Sequence, residues 1–295
     1  MSTAQESLTY VYAVARDTDA LRELLTGLGG VDGAPVGLLA IPGAAPTSPA
    51  PPASPPASAP VAFVVSPVPR RDFEETALKE HFEDLRWLED VARAHHDVVQ
   101  AVATLATVLP LRMATVYQDD NRARLALSRQ HHVFARRLAQ LDAHTEYGVK
   151  IYLPASAAPS DDGTATDDGA AEAASPGKAY LRRRRSQHHA REHVYRQAQQ
   201  AARAVEATAA RHASERVSHA PQSGELAGPG ENVLNDAYLV PDGHAQEFRA
   251  AVTHASEDFP EVLVEVTGPW APYSFAMPAA EDTATGDPDV QEPAP

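Results

Sequence analysis

The sequence predicts an α+β protein of two domains, because segments that alternate like β-strands occur among long segments with helically spaced apolar residues. A length of 295 residues suits one large or two small domains. We expect an N-terminal α+β domain over residues 8–143 and a modified ferredoxin-like domain with a long helix over residues 146–277. An acidic tail over residues 278–295 follows them.

Three segments of biased composition are expected to be disordered insertions or tail. Residues 42–60 are rich in proline, alanine and serine, a composition that favours an extended spacer. Residues 154–176 and the tail 278–295 each contain five acidic residues and no basic residue. These ten carboxylates account for most of the net charge of −15, so the acidity of the chain says little about a substrate.

The first domain is predicted to open with a strand, a short helix and a hairpin. Thr9–Ala15 alternates in the period-2 manner of a strand, and Asp17 or Thr18 can cap the helix that follows. Val36–Ile41 and Val61–Val68 flank the proline-rich spacer and also have strand character. The spacer is therefore interpreted as an enlarged hairpin loop, since extra length in a long loop costs little free energy.

Two long helices come next, separated by a break at Pro110 and an extended stretch over Met113–Tyr117. The first helix presents a packing stripe of Trp87, Val91, Ala94, Val98, Val102 and Leu105. The second helix, Asn121–Ala143, is expected to bury Leu125, Phe134, Leu138 and Leu141.

The second domain is predicted to alternate strands and helices after the acidic segment is set aside. Glu146–Leu153, Asn235–Pro241 and Val262–Gly268 have strand character. Gly177–Ala220 is predicted to be one long helix, and His244–Pro260 a shorter one. This order gives the compact α+β unit of ferredoxin-like character.

Near the end of the chain, the sequence EVTGPWAPYSF contains a group of aromatic residues. Gly268–Pro269 is expected to end the last strand, because proline has no N–H to give to the sheet. Trp270, Tyr273 and Phe275 then follow within six positions. Two interpretations remain open for these aromatics: they cap the hydrophobic core, or they form an exposed anchor for a binding partner.

Arg112 is a further candidate for partner binding. It stands in the sequence LPLR, directly after the proline break. Its guanidinium could instead pair with Glu89 or Asp90 on the preceding helix, and we favour this structural interpretation.

The sequence HAREH is the one motif with possible metal chemistry. It fits the pattern H-x-x-E-H, which places His189 and His193 on one helix face with Glu192 as a possible base. A third ligand could come from Glu257, Glu261 or Glu265. Arg182–Arg185 lie one turn away and would oppose a dication, so we favour a solvated helix face and expect no metal, no cofactor and no catalytic residue.

Other classes of function are disfavoured by the sequence. Arg182–Arg185 could contact phosphates, yet the rest of the chain is acidic and has no nucleic-acid-binding motif. The pairs His95–His96 and His131–His132 are on helices, where adjacent side chains point apart, and are not expected to form a site. No cysteine, signal peptide or apolar run of membrane-spanning length occurs, so a cytoplasmic protein without membrane contact is expected.

Several sequence blocks together resemble a known family. They are TYVYAVA, RWLEDVARAHHDVV, VLPLRMATVY, EYGVKIYL, GKAYLRRR, NDAYLV and VEVTGPWAPYSF. In this combination and order the chain resembles the gas vesicle protein L / gas vesicle protein F family from about Leu8 to Ala276. Ala271 stands where the family pattern has a proline, which is a small departure.

The resemblance implies an accessory protein of gas vesicles and not an enzyme. Such proteins are thought to bind the small hydrophobic shell protein during assembly, or to remain as minor shell components beside other accessory proteins. The implied location is the cytoplasm and the gas vesicle. The alternatives are a metal-dependent hydrolase built on HAREH and a generic protein-binding scaffold that uses the arginine-rich helix.

Overall fold

A computed structural model describes residues 7–42, 60–154, 176–222 and 230–276. Residues 43–59 of the proline-rich spacer, residues 155–175 of the acidic segment and the whole acidic tail lie outside the described residues. The chain divides into two compact units: Met1–Asp142 together with Tyr273–Pro295 form unit 1, and Ala143–Pro272 form unit 2. The prediction of a mixed helix-and-sheet protein is confirmed.

Unit 1 contains a five-stranded antiparallel sheet. Its strands are β1 Ser7–Arg16, β2 Gly37–Ala40, β3 Val61–Pro69, β4 Val108–Pro110 and β5 Val116–Tyr117. The order is β2-β3-β1-β4, with β5 also paired to β1. β2 and β3 pair antiparallel with Leu39 opposite Phe63, so the predicted hairpin across the proline-rich spacer is confirmed.

Three of the five helices described in unit 1 begin at a side-chain cap. The five helices are α1 Asp19–Thr26, α2 Arg70–Phe73, α3 Glu75–His81, α4 Leu85–Ala103 and α5 Asp120–Leu141. Thr18 caps α1 by accepting a hydrogen bond from the Leu21 N–H at 3.2 Å, while Asp17 pairs with Arg22. Of the two cap residues left open by the sequence, the structure therefore uses Thr18.

Helices α4 and α5 pack on opposite faces of this sheet. Phe63 of β3 meets the ring of Phe134 on α5, whereas Tyr12 of β1 bonds Ser66 of β3 and meets His95 on α4. Phe63 and Ser66 are three positions apart on one strand, so their side chains point to opposite faces. The sheet is thus covered on both sides, and β1 is its most deeply buried strand.

Two predicted core positions of unit 1 are wrong, and the stripe predicted for α4 was incomplete. The buried stripe of α4 also contains His95, which completes the spacing of four and three between Val91 and Val98, while Ala94 is partly buried. Leu105 lies beyond the end of α4, where helical spacing no longer applies, and it is exposed. Leu125 is exposed because the buried face of α5 runs through Ala123 and Leu127 instead.

Unit 2 contains a four-stranded antiparallel sheet. Its elements are β6 His144–Pro154, α6 Pro176–Ala209, β7 Glu215–Ser218, β8 Gly230–Pro241, α7 Ala245–Glu257 and β9 Leu263–Trp270. The strand order is β7-β8-β6-β9. The elements follow one another as β-α-β-β-α-β, an order that the ferredoxin-like motif also has.

The predicted long helix is shorter than expected. The helix was predicted to reach Ala220, but α6 ends at Ala209 and the chain turns into β7. The Ser214 N–H bonds the Leu239 carbonyl at 2.7 Å, and Arg216 pairs with the buried Asp236 of β8. These partners are distant in sequence, so local helix propensity could not reveal the strand.

The last strand also continues further than expected. β9 was predicted to end at Gly268–Pro269, yet it runs to Trp270, with a register shift that places Trp270 opposite Glu146 and Thr267 opposite Gly148. Pro269 is tolerated because β9 is an edge strand of the described sheet. Gly268 has φ +114 at the shift, a backbone conformation that suits glycine.

We expect Gly268→Ala to destabilise unit 2 by about 1–3 kcal/mol. A Cβ there would lie 2.8 Å from the Glu146 carbonyl oxygen and 3.0 Å from the Tyr147 ring. Gly243→Ala is the matched control, since nothing lies within 4 Å of its Cβ position. Urea unfolding followed by circular dichroism measures both variants, and equal midpoints would contradict the constraint at Gly268.

Candidate functional site

The end of the described chain, Trp270–Ala276, is called the closing segment here. Phe275 in this segment belongs to unit 1, where its side chain is 1% exposed. Its backbone carbonyl accepts a hydrogen bond of 2.7 Å from Nε of Arg137 on α5, and Arg137 is itself buried. A charged donor gives a stronger hydrogen bond than a neutral one, so Arg137 and Phe275 together fix the segment on α5.

Tyr273 contacts helix α4. Its ring stacks on that of His96, with centroids 6.3 Å apart and an interplanar angle of 23°, and it lies 6.3 Å from the ring of His95. The residue remains 37% exposed. Tyr273 therefore combines both interpretations of the aromatic segment: one part of the ring packs on the helix and another part faces outward.

Beneath Tyr273, His95 is part of a buried polar cluster. The Tyr10 hydroxyl lies 3.0 Å from His95 Nδ1 and accepts a hydrogen bond from the Ala114 N–H at 3.0 Å. When the Tyr10 O–H donates to Nδ1, the hydroxyl both donates and accepts, and the proton of the neutral ring is on Nε2. Nε2 is buried and has no hydrogen-bond partner among the described residues.

The cluster is uncharged at neutral pH. Burial lowers the pKa of His95 to about 4, opposed by the nearby Leu111 backbone, with the charge of His96 as a smaller lowering influence. Burial also raises the pKa of Tyr10 and of Tyr12 above their ordinary values. Neutral side chains of this kind support packing and do not supply a general acid or base near pH 7.

Trp270 lies in unit 2, at the end of edge strand β9. It is 42% exposed, and Leu263 at the other end of the strand is also exposed. Val264 and Val266 between them pack against the core of unit 2. Among the described residues, β9 therefore combines a strand edge with exposed apolar side chains, two features that favour contact with another chain.

Arg112 does not pair as predicted. Glu89 forms its ion pair with Arg93 one turn further along α4, and Arg112 has no ion pair in the described part of the chain. The Arg112 backbone carbonyl accepts from the N–H and the hydroxyl of Thr115, at 3.2 and 2.6 Å. These two hydrogen bonds fix the Arg112 backbone in a turn. The Arg112 side chain is exposed to solvent.

The HAREH motif does not form a three-ligand site in the residues that the structure describes. Glu192 lies 3.4 Å from the rings of both His188 and His189, while His193 contacts Glu261 at 3.1 Å. The other two acids proposed as ligands have other partners: Glu257 contacts His254, and Glu265 accepts from Tyr152. Within the described ranges no three such side chains are placed to hold one ion.

The four residues predicted for partner binding do not all belong to the same unit. Tyr273, Phe275 and Arg112 lie in unit 1, and Trp270 lies in unit 2. His95 was considered only as a pair with His96, from which no site was expected, and Arg137 was not singled out. His95 and Arg137 contact the closing segment from α4 and α5. The signal for both was helical spacing: each polar residue interrupts an apolar stripe at a position where the core would continue.

The fold is that of a mixed helix-and-sheet protein. The candidate site contains aromatic residues, of which Phe275 is buried while Trp270 and Tyr273 are partly exposed. Residues 8–277 match the family described as Gas vesicle synthesis protein GvpL/GvpF, so the chain belongs to this family. The resemblance seen in the sequence blocks is thereby confirmed. No helix in the described part of the chain is long and apolar enough to cross a membrane.

Relatives support the assignment over nearly the full chain. Gas vesicle protein L of Streptomyces sp. (strain CB03234) is 40% identical over 284 residues, which is 96% of this chain and 97% of the relative. The crystal structure of GvpF from Anabaena sp. PCC7120 matches with a TM-score of 0.61 at 16% identity, over 94% of this chain and 98% of that one. GvpF from Microcystis aeruginosa gives 0.57 at 17% identity, over 92% and 99%. At these identities the two structures establish the fold.

We expect unit 1 to lose about 1–2 kcal/mol of stability between about pH 7.5 and about pH 5 through His95. Its pKa is lower in the folded chain, so the unfolded chain takes up the proton first and stability falls as the pH falls from about 6.5 toward about 4. Tyr10, Tyr12, His96 and Tyr273 face the ring. Urea unfolding at both pH values measures the change.

His95→Gln should reduce this pH dependence, because an amide does not titrate. His132→Gln, on the exposed face of α5, is the matched control and should leave the dependence as in the wild type. A pH dependence that is the same in the wild type and in both variants would contradict the role of His95.

Zinc should not bind stoichiometrically to the HAREH helix. The purified chain is expected to contain well under one zinc per molecule, and a chelator should leave its melting temperature unchanged. Elemental analysis and thermal scans measure both. Stoichiometric zinc that is lost in His189→Ala but kept in His254→Ala would restore the hydrolase alternative.

Proposed function

We propose that this protein binds the small hydrophobic shell protein of gas vesicles in the cytoplasm and takes part in vesicle assembly, or stays in the shell as a minor component. The family match over residues 8–277 is the observation that carries the proposal. A relative that is 40% identical over almost its whole length bears the name gas vesicle protein L. The proposed activity is binding and not catalysis.

The physical need for such a protein follows from the shell subunit. A small, very hydrophobic subunit in water aggregates unless its apolar surface is covered before assembly. An accessory protein with a net charge of −15 keeps a complex dispersed by charge repulsion. Covering and dispersing the subunit are both tasks that need no catalytic group.

Exposed aromatics of the closing segment are the proposed contacts. More than a third of the surface is exposed both in Trp270, at the end of edge strand β9, and in Tyr273, which packs against helix α4. Aromatic side chains at interfaces bury a large apolar area while losing little rotamer freedom. Arg112 is retained as a candidate polar contact, and Phe275 is proposed to hold the segment from within the core.

The two units are proposed to act as separate domains in this function. Unit 2, with its β-α-β-β-α-β order, serves as the ferredoxin-like domain, and its edge strand carries Trp270. Unit 1 carries Tyr273 and Arg112. Each domain thus contributes its own candidate contacts, and each set can be tested by single substitutions.

We expect Trp270→Ala and Tyr273→Ala each to weaken capture of the shell protein about 5- to 30-fold, the effect of losing about 1–2 kcal/mol of contact. Both side chains are partly exposed, so the variants should stay folded. A tagged chain expressed in vesicle-forming cells, followed by pull-down and quantitative mass spectrometry, measures capture. Melting curves of the same proteins measure folding.

Two further variants separate contact from packing. Phe275→Ala should lower the melting temperature, since truncation of a buried phenylalanine costs about 3–5 kcal/mol. Leu125→Ala removes an exposed apolar side chain elsewhere in unit 1 and should change neither property. If the wild type recovers no shell protein from vesicle-forming cells, the proposed function is wrong. If it does, and the two aromatic variants recover as much, only their contact role is wrong.

A further inference from the structure

Helix α6 extends far beyond the core of unit 2. At 1.5 Å per residue its 34 residues span about 50 Å. Among the side chains of α6 that the structure describes, the buried ones lie toward the C-terminal end: Ala198, Ala201, Val205 and Ala209. No described side chain before Ala198 is buried, although Tyr195 and His193 still bond other parts of the unit. In the first half of α6, the side chains that the structure describes are therefore exposed to solvent.

This first half is strongly basic. Between residues 176 and 191 the sequence contains six lysines and arginines and no acidic residue. Arg182, Arg184 and Arg185 are exposed, and none has an ion pair in the described part of the chain. At 100° per residue they share one half of the helix circumference with His188 and His189. We call this side of α6 the basic face.

The basic face contrasts with the rest of the chain. The remaining residues contain 19 basic and 40 acidic side chains. Like charges three or four residues apart destabilise an isolated helix, and Arg182 and Arg185 have this spacing. A helix that concentrates cations in this way gains stability when an anionic partner neutralises them.

We propose that the basic face of α6 is a docking surface for an acidic polypeptide segment of a partner protein. Arginine suits this partner, because its planar guanidinium matches a carboxylate with two parallel hydrogen bonds. Leu181, exposed on the same side, offers an apolar contact within the charged surface. The surface lies within unit 2 and does not depend on capture of the shell protein.

The surrounding charge favours a short acidic segment over nucleic acid. A nucleic acid carries closely spaced phosphates far beyond one helix face, so it would also approach the acidic remainder of the chain. A carboxylate-rich peptide can neutralise Arg182, Arg184 and Arg185 without that repulsion. The expected binding is salt-sensitive, since the charges are exposed to solvent.

The test uses the full chain and a fluorescent poly-glutamate peptide, with anisotropy as the measure of binding. The peptide should bind at low salt and weaken as salt rises from about 50 to about 300 mM. Replacing Arg182, Arg184 and Arg185 by Gln should reduce affinity at least about tenfold. The matched control replaces the exposed Arg86, Arg129 and Arg136 of unit 1 by Gln, which changes the net charge equally and should leave binding unchanged.

A triple Lys variant at the same three positions keeps the charge and loses the paired hydrogen bonds, so it should bind more weakly than the wild type and more tightly than the Gln variant. This variant guards against an effect of helix loss. The proposal is overturned if the Gln variant binds like the wild type, or if a single-stranded oligonucleotide of equal length binds more tightly than the peptide. It is also overturned if the peptide binds only after the five acids of residues 154–176 are neutralised. The chain itself would then be the occupant.

Discussion

The hydrogen bond from Arg137 to the Phe275 carbonyl is the interaction on which the architecture of unit 1 depends, because it joins residues 138 positions apart. The chain leaves this unit at Asp142, builds the whole of unit 2, and returns at Tyr273. The two ends of unit 2 are adjacent, because its first strand β6 pairs with its last strand β9 and Trp270 lies opposite Glu146. An inserted unit whose two ends are adjacent disturbs its host little. Within unit 1, Tyr273 then packs against the ring of His95, which in turn lies 3.0 Å from the Tyr10 hydroxyl.

This arrangement explains why the closing segment is stiff and aromatic. Phe275 must remain buried for unit 1 to be complete, while Trp270 and Tyr273, only a few residues before it, keep part of their surface exposed. A segment fixed at one end presents its exposed rings with little loss of conformational freedom on binding. Buried and exposed aromatic residues are thus neighbours in one segment: Phe275 supports the packing interpretation, and Trp270 and Tyr273 are the proposed contacts.

Local sequence patterns predicted most of the strands and helices. The wrong predictions concern residues whose contacts are not visible in the local spacing of apolar residues. Strand alternation located β1, β3, β6, β8 and β9, and the family blocks identified the gas vesicle assignment. β7 was missed because its stability comes from pairing with distant β8 and from the Arg216–Asp236 contact. His95 was considered only as half of an adjacent histidine pair, and Arg137 was not singled out, because the predicted stripes were defined by apolar residues alone. The pairing of Arg112 was wrong because Arg93, four residues from Glu89, takes that partner on the same helix.

The central claim is that this chain keeps the apolar shell subunit from aggregating, and one measurement tests it directly. Shell protein unfolded in denaturant is diluted into buffer with or without an equimolar amount of this chain, and light scattering is recorded over time. The account predicts that scattering is suppressed at a near-stoichiometric ratio and returns when the chain is omitted or replaced by albumin. Scattering that rises equally fast with and without the chain would contradict the account.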